Sequence, residues 1–322
     1  MEYIILVVGF VILLLGAEAV IRGATMIGRR LGASEIAIGL TLVSIGTSLP
    51  ELLVNVLASF AGNSEIAVGN VLGSNVANIL LILGVAAIVR ELPVRDATIF
   101  SEIPFSLTAA VLVGFIANAH LFGTAGTLSI SRSDGVILLV FFLLFLLYIY
   151  RVWNDPHTVI DHPALGRRDV SGSLLHPLAW LVAGSIGLGM GAHWVVEGAV
   201  SLSRLLGLSE SFVGLTVIAI GTSLPELVTT VLAAHRGNTD LAIGNAIGSN
   251  IFNLLWVLGL SAVLRPLPFD VVSNTDILMV VASSAFLLLA VAVGPRNAID
   301  RKEGVSFVLL YVVYLVFLVN RG

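Results

Sequence analysis

Residues 39–84 read GLTLVSIGTSLPELLVNVLASFAGNSEIAVGNVLGSNVANILLILG, and residues 214–259 read GLTVIAIGTSLPELVTTVLAAHRGNTDLAIGNAIGSNIFNLLWVLG. The two stretches align without a gap at a constant offset (214 − 39 = 175), and 26 of the 46 positions are identical. The match continues upstream, where Gly16, Ala17, Gly23, Leu31, Gly32, Ser34 and Glu35 recur as Gly191, Ala192, Gly198, Leu206, Gly207, Ser209 and Glu210. Self-similarity at a fixed period marks a duplicated architecture. The chain therefore reads as a first membrane repeat, 1–151, a polar linker, 152–174, and a second membrane repeat, 175–322.

Composition sets the medium in which these repeats fold. Residues AVILMFWYC make up 57% of the 322 and charged residues only 11%, against roughly 25% charged residues in a soluble domain. So few charges cannot cover a water-facing surface of this size. There is no cysteine, which excludes disulfides and thiolate metal sites. No basic cluster is long enough to hold nucleic acid, and nothing in the pattern calls for an obligate protein partner. The first apolar run has no basic segment before it and leads straight into repeat sequence, so it reads as a retained helix rather than a cleaved signal.

A helical bilayer crossing takes about 20 mostly apolar residues. Ten segments fit: 3–27, 35–60, 66–89, 98–119, 132–150, 176–203, 211–235, 241–264, 274–293 and 304–320. The predicted fold is all-α and integral to the membrane, with ten transmembrane helices as two five-helix repeats. An odd number of crossings per repeat inverts the second unit relative to the first, and such inverted repeats are a common build of secondary transporters. With the N-terminus outside, the inner loops hold Arg29, Arg30, Arg90, Arg95, Arg151, Arg167, Arg168, Arg236, Arg296, Arg301 and Lys302. The outer ones hold only Arg132, Arg204, Arg265 and Arg321. Basic residues gather on the cytoplasmic side. The expectation is a multi-pass protein of the cell (plasma or inner) membrane with both termini outside and the linker in the cytoplasm.

The repeated GTSLPE carries the chemistry: Gly46, Thr47, Ser48, Leu49, Pro50 and Glu51, then Gly221, Thr222, Ser223, Leu224, Pro225 and Glu226. A proline within a helix leaves the carbonyl four residues back without its donor, which here frees the carbonyls of Gly46 and Gly221. Broken backbone at membrane depth is tolerated where it lines a cavity. Glu51 and Glu226 fall near the centres of their spans, and no lysine or arginine lies in those spans to pair with them. An intramembrane carboxylate without a partner marks an ion pathway. The following helix adds Asn70, Ser74 and Asn78, and again Asn245, Ser249 and Asn253, along one helical face. Glycines 69, 73, 244 and 248 leave room for close helix approach. Carboxylate, hydroxyl, amide and carbonyl oxygens suit hard cations such as Ca²⁺ and Na⁺. Two glutamates match the charge of one Ca²⁺ or two Na⁺, and a single site serving both ions exchanges them by competition.

These residues closely resemble the two α-repeats of the sodium/calcium exchangers, within the calcium/cation antiporter superfamily. GTSLPE followed by GNxxGSNxxN, twice, is a highly specific pattern, and the variant here looks most like the bacterial, YrbG-like branch. The resemblance implies Ca²⁺ exchange for Na⁺ by alternating access, with helices one and six sliding against the other eight. It implies that Glu51 and Glu226 are central carboxylates shared by both ions. Thr47, Thr222, Ser48, Ser223, Ser74 and Ser249 would add oxygens, the carbonyls of Ser44 and Ala219 would fall at outer sodium positions, and Asn78 and Asn253 would complete the set. Family members often have an aspartate at one of these last two positions, and this chain has asparagine at both.

The sequence thus points to a secondary antiporter rather than an enzyme, with transported Ca²⁺ and Na⁺, no cofactor, and H⁺ and K⁺ open as coupling ions. The alternative on the same scaffold is a Ca²⁺/H⁺ antiporter. From a different class, an intramembrane hydrolase or a non-transporting ion sensor remains to be weighed. Elsewhere, Glu18 with Arg22 and His193 with Glu197 read as pairs within helices one and six. Ser64 and Thr239 read as N-caps, each followed by an acid, Glu65 and Asp240, that suits the helix dipole.

Overall fold

The computed structural model describes residues 2–62, 64–119, 128–153, 173–205, 221–293 and 297–321. Long apolar stretches with no proline beyond the first turn become long helices: α1 (Glu2–Arg30), α7 (Arg132–Trp153), α8 (Leu175–Leu205), α11 (Ser273–Val293) and α12 (Arg301–Arg321). At 1.5 Å per residue the 29 residues of α1 run to about 43 Å, enough to cross a bilayer with an overhang. The second span is a bent pair, α2 (Glu35–Thr47) and α3 (Leu49–Ala61), whose axes differ by 48°. α4 covers 64–89. A short α5 (Asp96–Phe100) leads into α6 (Glu102–Ala117), and α9 (Leu224–His235) precedes α10 (Thr239–Leu264).

Eight helices are long and apolar enough to cross a membrane, and the bent pair makes a ninth among the described residues. Of the expected span 211–235, the part 211–220 lies outside the described residues, as do 154–172 of the linker. The centre of the protein is formed by α4 and α10, with 78% of each span's apolar window buried, against 22–44% for the other spans. The lipid-facing helices wrap these two.

The repeats are held to one another, not merely placed side by side. Two short antiparallel pairings join their loops. β1 (Leu92–Pro93) pairs with β4 (Ala298–Ile299), and β2 (Ser129–Ile130) with β3 (Leu267–Pro268). Helices α3 and α9 end at Gly62 (φ +82°) and Gly237 (φ +88°), a left-handed conformation that favours glycine. At each end an arginine from the other repeat donates to a terminal carbonyl. Arg90 reaches the His235 carbonyl at 3.3 Å and Arg265 reaches the Phe60 carbonyl at 3.5 Å, positions related by the 175-residue offset. A cation at a helix C-terminus also meets the negative end of its dipole.

α1 and α8 form an antiparallel pair at backbone contact. Gly9 faces Val195, Gly16 faces Leu188 and Gly23 faces Leu181; a Cβ on Gly16 would stand 2.7 Å from the Leu188 nitrogen. Small residues permit this close approach, which replaces the hydrophobic drive that lipid cannot supply. Gly244 and Gly248 of α10 seat α2 in the same way, against Ile36 and Leu40. The matching neighbours of Gly69 and Gly73, taken at the same offset, fall within 206–220, outside the described residues.

Both N-cap expectations are corrected, since Ser64 and Thr239 are each the first helical residue and not the cap. The cap position of α10 is Asn238, not Thr239, which is already helical, and Asn238 makes no side-chain cap bond. Asp240 lies in the first turn as expected, and it also forms an ion pair with Arg95.

Candidate functional site

The breaks fall at Ser48 (φ −88°, ψ 9°) and Ser223 (φ −89°, ψ 5°). Pro50 and Pro225 therefore sit in the first turn of a new helix, not in the interior of a continuous one. That is a correction to the reading from sequence. A first-turn residue has no intrahelical acceptor for its N–H, so proline fits there without loss. The glutamates follow directly, in the first turns of α3 and α9, where a carboxylate meets the positive end of the helix dipole.

Both carboxylates are sealed from solvent, Glu51 at 0% and Glu226 at 1% exposure. The two motifs meet through Ser48, three residues before Glu51. The Ser48 hydroxyl crosses between repeats and donates to Glu226 Oε1 at 2.7 Å. Ser223, its counterpart, instead donates to Ser74 Oγ at 3.3 Å. The Thr47 hydroxyl reaches the Ser44 carbonyl at 3.2 Å and Asn245 Oδ1 at 3.3 Å. The Ser44 carbonyl also takes the Ser48 N–H at 3.0 Å, and the Ser44 hydroxyl donates back into its own helix to the Leu40 carbonyl at 2.9 Å. Thr222 is partly buried beside Gly221, and Ala219 lies outside the described residues.

On α4 and α10, Ser74, Asn78, Ser249 and Asn253 are all buried. The helices bulge there: Ala77–Leu83 and Phe252–Val257 are π-helical, and Asn78 and Asn253 stand in these wide turns. Such bulges occur frequently at functional sites. A third one, Gly39–Val43, precedes Ser44, whose N–H reaches back five residues to the Gly39 carbonyl. Asn78 donates to Asn250 Oδ1 at 2.9 Å, and Asn250 donates to the Asn75 carbonyl at 3.3 Å, binding α4 to α10 at the centre.

What sets this region apart is the number of buried oxygens without a hydrogen-bond partner. They are both oxygens of Glu51, Glu226 Oε2, Asn78 Oδ1, Ser249 Oγ and Asn253 Oδ1, with Thr229 Oγ1 and Asn75 Oδ1 beside them in sequence. Buried polar atoms are nearly always paired, so a group of orphaned acceptors calls for a missing donor or a cation. Every one of these oxygens is a hard ligand. Among the described residues no group of three or more Asp, Glu, His or Cys could hold a metal, so hydroxyl and amide oxygens would have to complete a coordination shell around the two carboxylates.

Asn70 and Asn245, expected as oxygen donors to the site, are engaged in bracing it. Asn70 donates to Asn55 Oδ1 at 2.7 Å and Asn245 to Thr230 Oγ1 at 2.9 Å, again at the 175-residue offset. Asn55 and Thr230 were missed as partners, although each is a polar residue one helical turn after its glutamate in an apolar run. An apolar crevice of about 660 Å³ runs along α8 beside both breaks. Its walls include Gly46, Pro50, Gly221 and Thr222 but neither glutamate, so it borders the polar site without containing it.

The family model described as sodium/calcium exchanger protein matches residues 1–151 and 176–320. The putative antiporter CaxA of Alkalimonas amylolytica is 36% identical over 97% of this chain and 96% of its own length. The inner membrane protein YrbG of Escherichia coli is also 36% identical, over 98% and 95%. Among solved structures, the sodium-calcium exchanger NCX_Mj soaked with zero Na⁺ and Ca²⁺ superposes with a TM-score of 0.79 at 30% identity, covering 98% of each chain. With both repeats matched and relatives aligned almost end to end, the chain belongs to the sodium/calcium exchanger protein family.

Proposed function

We propose that this chain is a secondary active antiporter that exchanges Ca²⁺ for Na⁺ across the membrane by alternating access. Its ten helices form two inverted five-helix repeats, both termini lie outside, and 152–174 is a cytoplasmic linker. Contacts that recur at the 175-residue offset support the inverted pairing, above all the arginine-capped ends of α3 and α9.

The observation that carries the reading is the pair of buried, mirrored carboxylates whose remaining oxygens have no partner. Two bare carboxylates at this depth are strongly disfavoured, and one Ca²⁺ or two Na⁺ would neutralise them. In this account Glu51 and Glu226 hold the ions. Ser48 and Ser223, Thr47 and Thr222, Ser74 and Ser249, and Asn78 and Asn253 add oxygens, with the carbonyls of Ser44 and Ala219 at the edges. The same penalty enforces coupling: an empty site keeps its charge and resists reorientation, while a loaded site turns. An inward ion must then be replaced before the site returns.

The crevice beside α8 and the backbone contact of α1 with α8 suit a motion of these two helices together against the rest. A Ca²⁺/H⁺ exchanger remains the second reading, because carboxylates without hydrogen-bond partners also accept protons. Proteoliposome flux separates the two. Uptake of ⁴⁵Ca²⁺ that follows an outward Na⁺ gradient supports Na⁺ coupling, and uptake that ignores Na⁺ and follows a pH gradient refutes it.

A further inference from the structure

α1 and α8 meet each other at backbone contact, and their outer faces are exposed at Val7, Leu15, Val182 and Ile186. A charged link fastens α1 to the rest of the protein. The carboxylate of Glu18 forms ion pairs with Arg22 on its own helix and with Arg236, just past the end of α9. Its side chain is 18% exposed, so the pair is partly shielded from solvent.

This link has no mirror image. At the 175-residue offset, Glu18 corresponds to His193, Arg22 to Glu197 and Arg236 to Ala61. His193 faces Glu197 of its own helix at 3.9 Å, and the end of α3 offers the methyl group of Ala61 where α9 offers a guanidinium. In an exchanger built of two inverted halves, equal contacts on both sides would give the two access states equal energies. A contact present on one side only tilts that balance.

We infer that the Glu18–Arg236 pair is a one-sided latch, and that Glu18 and Arg236 are positioning residues that hold α1 in the described state and bias the exchange cycle toward it. The inference rests on the alternating-access reading above. Displacing α1 along its axis by about one turn, roughly 5.4 Å, takes the two groups out of ion-pair reach. The opposite state gains no ion pair between His193 and Ala61 in return. Arg22 travels with Glu18, so it makes the same contact in both states and does not discriminate between them. A ligand or contact shifts a two-state balance only by its differential interaction. For a partly exposed pair the shift is roughly 1.5- to 5-fold.

The absence of cysteine makes the test direct. In the full chain in nanodiscs, Val7→Cys on α1 and Leu278→Cys on α11, both exposed, take nitroxide labels, and pulsed electron resonance reads the distance between them. The expected result in the labelled wild type is two distances whose ratio responds to Na⁺ and Ca²⁺. Glu18→Gln and Arg236→Gln each raise the minor population about 1.5- to 5-fold. Arg22→Gln leaves the ratio unchanged, and Arg236→Lys, which keeps the charge, restores most of it. Two ion-dependent distances that neither Glu18→Gln nor Arg236→Gln alters would overturn the latch and leave the exchange reading intact. A single distance under all ions would overturn the motion of α1, and the latch with it.

Discussion

Ser48 and Ser223 occupy equivalent positions in the two repeats, yet the structure gives them different work, and this difference predicts unequal effects of the same substitution. Ser48 donates to a carboxylate, Glu226 Oε1, at 2.7 Å, with both residues almost fully buried. Ser223 donates to a neutral hydroxyl, Ser74, at 3.3 Å. A hydrogen bond to a charged group contributes about 1.5–3 kcal/mol and a neutral one about 0.5–1.5 kcal/mol. At about 1.4 kcal/mol per tenfold, Ser48→Ala should weaken Ca²⁺ binding roughly 10- to 100-fold and Ser223→Ala only roughly 2- to 10-fold. Both substitutions delete a single oxygen, so cavity formation does not explain the gap. The assay is ⁴⁵Ca²⁺ equilibrium binding to purified protein, with the apparent Km for ⁴⁵Ca²⁺ uptake measured beside it. Equal losses, or a larger loss for Ser223→Ala, would refute the claim that the Ser48 hydroxyl orients and stabilises the Glu226 carboxylate.

Further outcomes follow from the same geometry. Glu51→Gln and Glu226→Gln should each abolish exchange. In ion-free buffer they should raise the thermal midpoint, because a neutral amide removes a fully buried charge; Ca²⁺-dependent stabilisation should vanish in both, as a melting series with and without Ca²⁺ would read. Gly16→Ala places a Cβ 2.7 Å from the Leu188 nitrogen, so α1 and α8 must part. The expected cost is about 1–3 kcal/mol, seen as a lower midpoint together with lost flux. Gly237→Ala, at φ +88°, should lose about 1 kcal/mol through backbone strain, and its Cβ would also press on Arg90 Nη1 at 2.9 Å, whereas Gly69→Ala on α4 meets no such conformational penalty.

Much of this arrangement could be read before any coordinates. Composition and run length identified the eight long spans and the bent ninth among the described residues, and the 175-residue repeat paired Glu51 with Glu226 and Ser74 with Ser249, because both copies keep the same residue at these positions. The helix breaks were legible too, within GTSLPE, although each proline opens the helix after the break instead of interrupting a continuous one. What stayed hidden depends on contacts between distant segments. The π-helical turns at Asn78 and Asn253 leave no mark on hydrophobic periodicity, as one extra residue per turn is lost within an all-apolar stretch. Arg90 and Arg265 read only as loop charges, because the helix ends they cap are 145 and 205 residues away in the chain. Nor does any local pattern distinguish Ser48 from Ser223; the hydroxyls face different partners only once the repeats interlock. Glu18 was legible as a partner of Arg22, four residues on, but not as a partner of Arg236.

Stoichiometric binding tests the central claim most directly. Purified wild-type protein is titrated with ⁴⁵Ca²⁺ at a series of fixed Na⁺ concentrations. If the two buried glutamates hold the transported ion, one high-affinity Ca²⁺ binds per chain, Na⁺ raises its apparent Kd without lowering the bound maximum, and Glu51→Gln or Glu226→Gln removes the binding. Ca²⁺ binding that is indifferent to Na⁺, or that survives in both variants, would contradict the account.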